Sequence, residues 1–273
     1  MGARPHITRV VFHVNRDKPG ADAVRARLAA FARTVGLEVI KGVNGLNDGL
    51  AVVVLGGDGT MLSAVHRYPG VPLLGLNLGS LGYLAAVEEP RFEDAVRALA
   101  RGEFVISRRT VLETRGRRAL NDVVVSHDAA GHALALELLV DGTRATGFSA
   151  DGLIVSTPTG STAYSLSAGG PVLLPDTRSF VVTPVCPHAL SSRPLVVRDT
   201  VRLTVRTASS AVVYVDGAKA FRLPAGKEVE IAKADVTAPL VELPGYDPCE
   251  VLSRKLGWSG SAKVVRSGRG GKP

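Results

Sequence analysis

Apolar strands and helical stripes alternate along the first hundred residues of the chain. The segment from Ile7 to Val14 is a short, largely apolar run typical of a strand, and an apolar stripe at helical spacing follows it, formed by Val24, Leu28, Phe31 and Val35. Further strands are predicted at 37–40, 51–55 and 71–77, and further helices at 60–66 and 90–101. This alternation predicts an α/β domain with a doubly wound parallel sheet, which we assign to residues 1–103.

The pattern changes at Phe104, where helical stripes give way to short β-rich segments separated by turn pairs such as Asp141-Gly142 and Asp216-Gly217. The segments are 104–114, 120–126, 134–140, 153–156, 180–184, 194–197, 201–206, 211–215 and 228–232. They predict a mostly antiparallel β-sandwich as a C-terminal domain at 104–245. A helix at 248–256, within a segment 246–262, is expected to pack back on the first domain, and residues 263–273 are expected to form a basic, flexible tail.

Composition and charge narrow the possible partners. The 273 residues carry a formal charge of +8, which favours polyanionic ligands, and no basic patch is interleaved with aromatic side chains, so we predict small phosphorylated ligands and no nucleic acid. The two cysteines, Cys186 and Cys249, lie in no zinc-ligand spacing, and no apolar run is long enough to span a membrane. We therefore predict a cytoplasmic protein with no membrane association and no metal site built from its own side chains.

A glycine turn from Gly56 to Thr60 lies between a strand-like apolar run and a predicted helix. This arrangement presents backbone N–H groups and a helix N-terminus, which bind phosphate. Asp58 lies in the middle of the turn, where phosphates repel a carboxylate unless a cation lies between them or the carboxylate accepts a proton. Asp58 is therefore a candidate base or metal partner in phosphoryl transfer. The alternative is that Asp58 only caps the following helix.

Two better-known phosphate-binding loops do not fit this turn. The P-loop requires a lysine directly before its Ser or Thr, and no lysine follows Gly59. The dinucleotide-binding fingerprint requires a third glycine and an acidic residue at the end of the next strand, but Leu62 and Asn77 occupy those places.

A second polar segment, Asp151 to Ser167, is rich in Ser, Thr and Gly and begins at a predicted strand. Small hydroxyl side chains and exposed backbone suit a loop that binds a nucleotide through many short hydrogen bonds, and Tyr164 is a candidate to stack on a base. A surface loop without function has the same composition. Asn121-Asp122, at a predicted strand start, is likewise either a ligand-binding pair or a turn-forming pair.

Taken together, these segments resemble the NAD kinase family. The resemblance is carried by GGDGT at 56–60, Asn121-Asp122 and DGLIVSTPTGSTAYS at 151–165, in order and separation. Three further stretches are similar to that family, namely LNLGSLGYLA at 76–85, CPHALSSRP at 186–194 and RKLGWSG at 254–260. The match covers nearly the whole chain and leaves only the basic tail outside.

The resemblance implies an enzyme that transfers the γ-phosphoryl group of ATP to the adenosine 2′-hydroxyl of NAD, with Mg2+ or another divalent cation as cofactor. It implies that Asp58 lies beside that hydroxyl as general base, and that the β-rich domain binds NAD. The implied phosphate-binding residues are Gly56, Gly57, Gly59 and Thr60. The implied NAD-binding residues are Asp58, Gly59, Asn121, Asp122, Asp151, Thr162, Ala163, Tyr164 and Ser167. A homo-oligomer, dimer or tetramer, is also implied, with partner subunits helping to complete the NAD site.

The chain departs from the family pattern at two positions. The family usually has Asn-Glu where this chain has Asn121-Asp122, so the carboxylate is one methylene shorter. The family often has Asp-Gly-Gln where this chain has Asp216-Gly217-Ala218, and Ala218 offers no amide.

Two other functions compete with this interpretation. A lipid kinase has a similar layout and turn, but it requires an apolar cleft or an interfacial helix, for which the sequence gives no sign. A dinucleotide sensor without turnover would use the same loops, but the intact Asp58 argues against it.

Overall fold

The computed structural model describes residues 6–43, 48–127 and 133–258. The predicted tail at 263–273 lies outside these residues, as does part of the segment 246–262. Within the described ranges, none of the helices is both long enough and apolar enough to cross a membrane.

The N-terminal part of the chain alternates strands and helices, as the hydrophobic pattern predicts. Its elements are β1 (Arg9–Val14), α1 (Ala21–Thr34), β2 (Glu38–Val39), β3 (Leu50–Gly56), α2 (Asp58–Arg67), β4 (Leu73–Asn77), β5 (Val87–Glu88) and α3 (Phe92–Arg101). Strands β1 to β5 pair only in parallel with one another. Helices α1 and α3 cover one face of this parallel sheet and α2 covers the other, which confirms the doubly wound α/β prediction.

The rest of the chain is mostly antiparallel. Its elements are β6 (Val105–Thr114), β7 (Arg117–Ala119), β8 (Asp122–His127), β9 (Leu134–Val140), β10 (Thr143–Ala150), β11 (Gly152–Ser156), α4 (Tyr164–Ser167), β12 (Ser179–Val185), β13 (Leu195–Arg198), β14 (Leu203–Thr207), β15 (Ala211–Val215), β16 (Ala218–Leu223), β17 (Glu228–Glu242) and α5 (Pro248–Leu256). Six of the strands form one antiparallel sheet in the order β13-β12-β11-β8-β15-β16. Its inner face packs against β9, β14 and the first part of β17, and this forms the predicted β-sandwich.

Strand β17 connects the two architectures. A single short strand at 228–232 was the prediction, and it is wrong, because the strand runs for 15 residues from Glu228 to Glu242. A shift in register between Lys233 and Thr237 lets β17 pair first with β14 in the sandwich and then with β4 of the parallel sheet. The resulting eleven-stranded sheet, with a main path β10-β9-β14-β17-β4-β3-β1-β2, contains strands from both sides of residue 103. The domain limits at 103 and 245 therefore stay predictions.

Strands β7, β10 and β16 were absent from the sequence prediction. Most of their residues are exposed or only partly buried, so the alternation of buried and exposed side chains that marks a half-buried strand is weak. Backbone pairing with β6, β9 and β15 defines them instead.

Candidate active site

The glycine turn lies at the carboxyl end of β3, where ligands bind in sheets of this kind. Strand β3 is buried along its whole length and ends at Gly56, and α2 begins at Asp58 with Gly57 as its N-cap. No side chain caps this helix, so the alternative that Asp58 is a structural N-cap is wrong. The carboxylate of Asp58 points instead toward the loop that follows β4.

Three consecutive backbone N–H groups hold the Asp58 carboxylate. The N–H of Tyr83 donates to Oδ2 at 2.9 Å, and the N–H groups of Leu84 and Ala85 donate to Oδ1 at 2.8 and 3.2 Å. The ammonium of Lys255, on α5, lies 3.1 Å from Oδ2. The carboxylate is thus fixed by a loop 25 residues later and by a helix at the end of the described chain.

These contacts determine the charge state of Asp58. Burial alone raises the pKa of its carboxyl group, but the N–H groups of Tyr83 and Leu84, the ammonium of Lys255 and the N–H group of Ala85 together outweigh burial and lower the pKa below its ordinary value. Asp58 is therefore ionised at neutral pH, in a fixed orientation.

Gly82 allows the loop to approach the carboxylate this closely. A Cβ atom added at Gly82 would lie 2.2 Å from Oδ1 of Asp58, far inside van der Waals contact. The glycine-broken stretch at 76–85 was noted in the sequence, but its role in holding Asp58 was not predicted. Backbone N–H donors leave no trace in side-chain identity, and only the glycine at position 82 hints at a close approach.

A cleft of about 560 Å³ lies beside the glycine turn, and two positively charged side chains line it. It is lined by Gly57, Gly59 and Thr60 and by the loop after β1, which contributes Arg16 and Lys18. Gly56 lies just behind them, buried at the end of β3. Arg16 and Lys18 were not predicted as site residues from the sequence. Their position in a cationic loop directly after the first strand of an α/β sheet could have indicated them, because ligands bind at the carboxyl ends of such strands.

Asn121 and Asp122 lie at the start of β8, where Asp216 organises the backbone. The carboxylate of Asp216 accepts the N–H groups of Leu120, Asn121 and Asp122 at 2.8, 2.7 and 3.1 Å. The other contact of Asp216 is with Nε2 of His66, 2.9 Å away on α2. This contact connects the helix that begins at Asp58 with the segment that contains Asn121.

Asp122 is buried beside Asp216, and its protonation differs from that of Asp58. Burial, together with the negative charge of Asp216, raises the pKa of Asp122 to about 7. A carboxyl group with this pKa is about half protonated near pH 7, and its protonated form donates a hydrogen bond as well as accepting one.

The hydroxyl-rich segment divides into an internal and an external part. The hydroxyls of Ser156, Thr157, Ser161 and Ser165 bond within the protein, for example Thr157 Oγ1 to the Leu120 carbonyl at 2.5 Å. These four hydroxyls therefore hold the loop together, and the prediction that the segment binds a nucleotide rests on its other residues. Gly160 packs so tightly on Asn121 that an added Cβ atom would lie 2.1 Å from the Asn121 carbonyl oxygen.

The outward-facing residues of this segment are the ones predicted to contact NAD. Thr162 and Ala163 are half-buried, while Tyr164 is 47% exposed and Ser167 is also exposed. Tyr164 begins the short helix α4, so its ring is accessible for stacking. The internal hydroxyls thus fix the loop, and the external side chains are left for a ligand.

Asp151 lies away from Asp122 within one chain. Strands β8 and β11 are antiparallel, with Asp122 opposite Ser156 and Ser126 opposite Gly152. Asp151 directly precedes Gly152, so it lies at the opposite end of the strand pair from Asp122, roughly 16 Å away at the usual rise per residue.

Two family models match the chain across both parts of this site. The ATP-NAD kinase N-terminal domain matches residues 46–104, which include the glycine turn and the loop that holds Asp58. The ATP-NAD kinase C-terminal domain matches residues 120–243, which include Asn121 and the hydroxyl-rich segment. The chain belongs to the NAD kinase family.

Curated relatives agree with this assignment. The NAD kinase of Syntrophotalea carbinolica is 43% identical over 221 residues, which cover 76% of this chain and 78% of that protein. The NAD kinase of Carboxydothermus hydrogenoformans is 41% identical over 219 residues, which cover 75% of this chain and 78% of that protein. As a member of the family, this chain is an enzyme, and its activity is the ATP-dependent phosphorylation of NAD.

Solved structures of NAD and NADH kinases have the same fold. An NAD kinase from Archaeoglobus fulgidus in complex with ATP superposes with a TM-score of 0.77 at 25% identity, covering 92% of this chain and all of that one. Yeast NADH kinase complexed with NADH has a TM-score of 0.81 at 22% identity, covering 96% of this chain and 90% of that one.

Proposed function

We propose that this NAD kinase phosphorylates the 2′-hydroxyl of the adenosine ribose of NAD, with Asp58 as the general base. The observation that carries the proposal is the fixed, ionised carboxylate of Asp58 at the carboxyl end of β3, beside a cationic cleft. An ionised carboxylate in a set orientation can accept the proton of a hydroxyl as that oxygen attacks phosphorus.

The donor phosphates of ATP bind in the cleft lined by Gly57, Gly59 and Thr60. The N-terminus of α2 presents backbone N–H groups and the positive end of the helix dipole there. Arg16 and Lys18 face the same cleft and add two positive charges for the triphosphate. The A. fulgidus relative in complex with ATP supports a nucleoside triphosphate as donor.

NAD binds across Asn121, Asp122 and the outward side of the hydroxyl-rich segment. Asn121 and Asp122 hold ribose hydroxyls, and Tyr164 stacks on the adenine that Thr162, Ala163 and Ser167 surround. The hydrogen bond between Asp216 and His66 supports this proposal. Asp216 also accepts the N–H of Asn121, so the two contacts connect the proposed ribose-binding residues to the helix that begins at Asp58.

The reaction forms one bond and breaks one. The 2′-oxygen of NAD bonds to the γ-phosphorus of ATP, and the bond from that phosphorus to the β,γ-bridging oxygen breaks, so ADP leaves. The hydroxyl proton passes to Asp58, which later releases it to solvent. The N–H groups at the start of α2 stabilise the charge on the phosphoryl oxygens in the transition state.

A divalent cation such as Mg2+ fits this site as a companion of the nucleotide. The described residues contain no cluster of three or more carboxylate, histidine or cysteine side chains, and Mg2+ in phosphoryl-transfer enzymes is commonly held by substrate phosphates with one or two carboxylates. When bound, the cation would neutralise charge on the β- and γ-phosphates. Asp17, which lines the cleft, is the carboxylate available to it.

We further propose that the enzyme is a cytoplasmic homo-oligomer. The separation of Asp151 from Asp122 supports an oligomer, because Asp151 would then contact NAD bound at Asp122 of a second subunit. Two free, exposed cysteines support a reducing compartment.

Substitution of Asp58 by Asn tests the proposal. Asn has the same shape and cannot accept the proton, so we expect turnover at least ~100-fold lower, with NAD binding retained by calorimetry. Asp94→Asn is the matched control, since Asp94 also lies in the first turn of a helix, α3, but is exposed. Near-normal NADP formation by the Asp58→Asn enzyme would refute the assigned role.

A further inference from the structure

Lys255 is the one side chain of α5 that reaches the proposed catalytic carboxylate in the described part of the chain. Its Nζ lies 3.1 Å from Oδ2 of Asp58, although 197 residues separate the two. The same ammonium lies over the ring of Tyr83, 5.9 Å from its centroid. Neither contact was predicted from the sequence.

The packing of α5 fixes the backbone position of Lys255. Asp247 caps the helix by accepting the N–H of Cys249 at 2.8 Å. Val251 and Leu252 are buried against Tyr83, in the loop that holds Asp58. Arg254, the neighbour of Lys255, pairs with Glu88 of β5 at 3.0 Å. The helix is therefore docked by other residues, and the ion pair with Asp58 is not needed to hold it.

The acceptor sites of Asp58 are filled in this state. A carboxylate offers about four lone-pair directions, and here three backbone N–H groups and one ammonium use them. The three N–H groups belong to a loop held close by Gly82, so they stay in place. Lys255 is the partner on a flexible four-carbon stem, with its side chain 30% exposed, so it is the partner that an incoming hydroxyl would replace.

We infer that Lys255 is a further catalytic residue, which leaves Oδ2 of Asp58 when the acceptor hydroxyl binds and then contacts the oxygens of the transferred phosphoryl group. The inference rests on the proposed role of Asp58. When the hydroxyl donates to Oδ2, the ammonium is displaced by one hydrogen-bond length into a space where negative charge develops. Lys255 moves no proton, and its contribution is a positive charge next to the bond that forms between the 2′-oxygen and phosphorus.

A purely structural ion pair is the competing explanation. Such a pair between side chains that are each 30% exposed adds little to the stability of the fold, and Arg254 already anchors this turn of the helix. A structural role therefore predicts a small effect on stability and none on the chemical step.

The test compares Lys255→Met, Lys255→Arg and the control Arg254→Met, with ATP, Mg2+ and NAD as substrates. We expect kcat to fall about 100-fold in Lys255→Met, the scale for removing one transition-state donor, with KM for NAD within about threefold. Lys255→Arg should recover part of this loss, and Arg254→Met should stay within about threefold of the parent.

The pH dependence gives a second readout that a structural role would not change. Without the ammonium, the carboxyl of Asp58 becomes a weaker acid, so the acidic limb of the kcat/KM profile should move to higher pH in Lys255→Met and stay in place in Arg254→Met. A parental kcat in Lys255→Met, or equal losses in both Met variants together with a lower Tm, would overturn the inference.

A parallel measurement of Asp58→Asn separates the two proposals. If Asp58→Asn is inactive while Lys255→Met keeps parental kcat, only the role of Lys255 fails. If Asp58→Asn keeps turnover, the role of Asp58 fails and that of Lys255 with it.

Discussion

At the scale of single residues, the site combines two carboxyl groups in opposite states. Asp58 has a lowered pKa and Asp122 has a pKa of about 7, although both are largely shielded from solvent. The difference follows from their partners, since Asp58 receives three N–H groups and an ammonium, whereas Asp122 lies beside the negative charge of Asp216. A lowered pKa makes Asp58 a weak base before reaction, so the catalytic role proposed for it depends on orientation and on permanent ionisation.

Gly82 is a residue whose substitution should displace the Asp58 carboxylate while leaving Asp58 itself unchanged. In Gly82→Ala the new Cβ atom would lie 2.2 Å from Oδ1, so the carboxylate or the loop must move by about 1 Å. We expect kcat to fall about 100-fold, the scale for misplacing a catalytic group by that distance, while NAD still binds by calorimetry.

Gly79→Ala is the control for this substitution, because it lies in the same loop and its nearest neighbour would be Nζ of Lys18 at an ordinary 3.5 Å. It should retain turnover within a few-fold. Equal kinetics in the two variants would contradict the view that the loop positions Asp58.

Asp122 should make the stability of the enzyme depend on pH. Its folded pKa of about 7 exceeds the ordinary value of about 3.9, so the folded state retains a proton that the unfolded chain has lost between these values. Stability therefore falls as pH rises from about 4 to about 7. Relative to the parent, Asp122→Asn should be more stable at pH 8 than at pH 5 by about 2 kcal/mol, measured by urea unfolding.

The hydrogen bond to Asp216 raises the pKa of His66, but His66 is present in both proteins, so its contribution to the pH dependence largely cancels in the comparison. Asp94→Asn, at an exposed site, is the control substitution for this comparison. A constant difference between parent and Asp122→Asn from pH 5 to pH 8 would refute the raised pKa.

At the scale of secondary-structure elements, the sequence predicts those strands and helices that have a regular pattern of apolar residues and those turns that are marked by glycine. The buried strand β3, the glycine turn and the amphipathic helices follow from local pattern, and the structure confirms them. The predicted strand at 228–232 ended too early because Asp235 and Pro239 interrupt the apolar pattern of β17. Pairing with β14, β6 and β4 compensates for that interruption.

In the site, too, local segments are predicted from the sequence, whereas contacts between distant residues are not. The turn at 56–60 and the segment at 151–167 have compositions that indicate phosphate and nucleotide binding, so the sequence predicts them as parts of the site. The contact of Lys255 with Asp58 and the contact of His66 with Asp216 join residues 197 and 150 positions apart. Only the tertiary fold brings such pairs together, so neither pattern nor propensity predicts them.

At the scale of the whole molecule, the edge of the six-stranded sheet is exposed and apolar. Strand β13 is an edge strand, and Val196 on it is 46% exposed, while Leu190 in the loop before it is 94% exposed. Uncovered apolar edge strands promote association, and a second copy of the chain would cover this one. This is a physical reason, independent of the resemblance, to expect the proposed oligomer.

Substitution of the edge residue Val196 by Lys should therefore lower the oligomeric state. We expect the parent to elute as a dimer or tetramer in size-exclusion chromatography with light scattering, and Val196→Lys to shift toward lower mass at micromolar concentration, because a buried ammonium at the interface has no partner. Val105→Lys is the control, since Val105 is 62% exposed but lies on β6 of the other sheet. If Asp151 reaches the NAD site of a second subunit, Val196→Lys should also raise KM for NAD while Val105→Lys does not. A monomeric parent, or equal masses for all three proteins, would contradict association through β13.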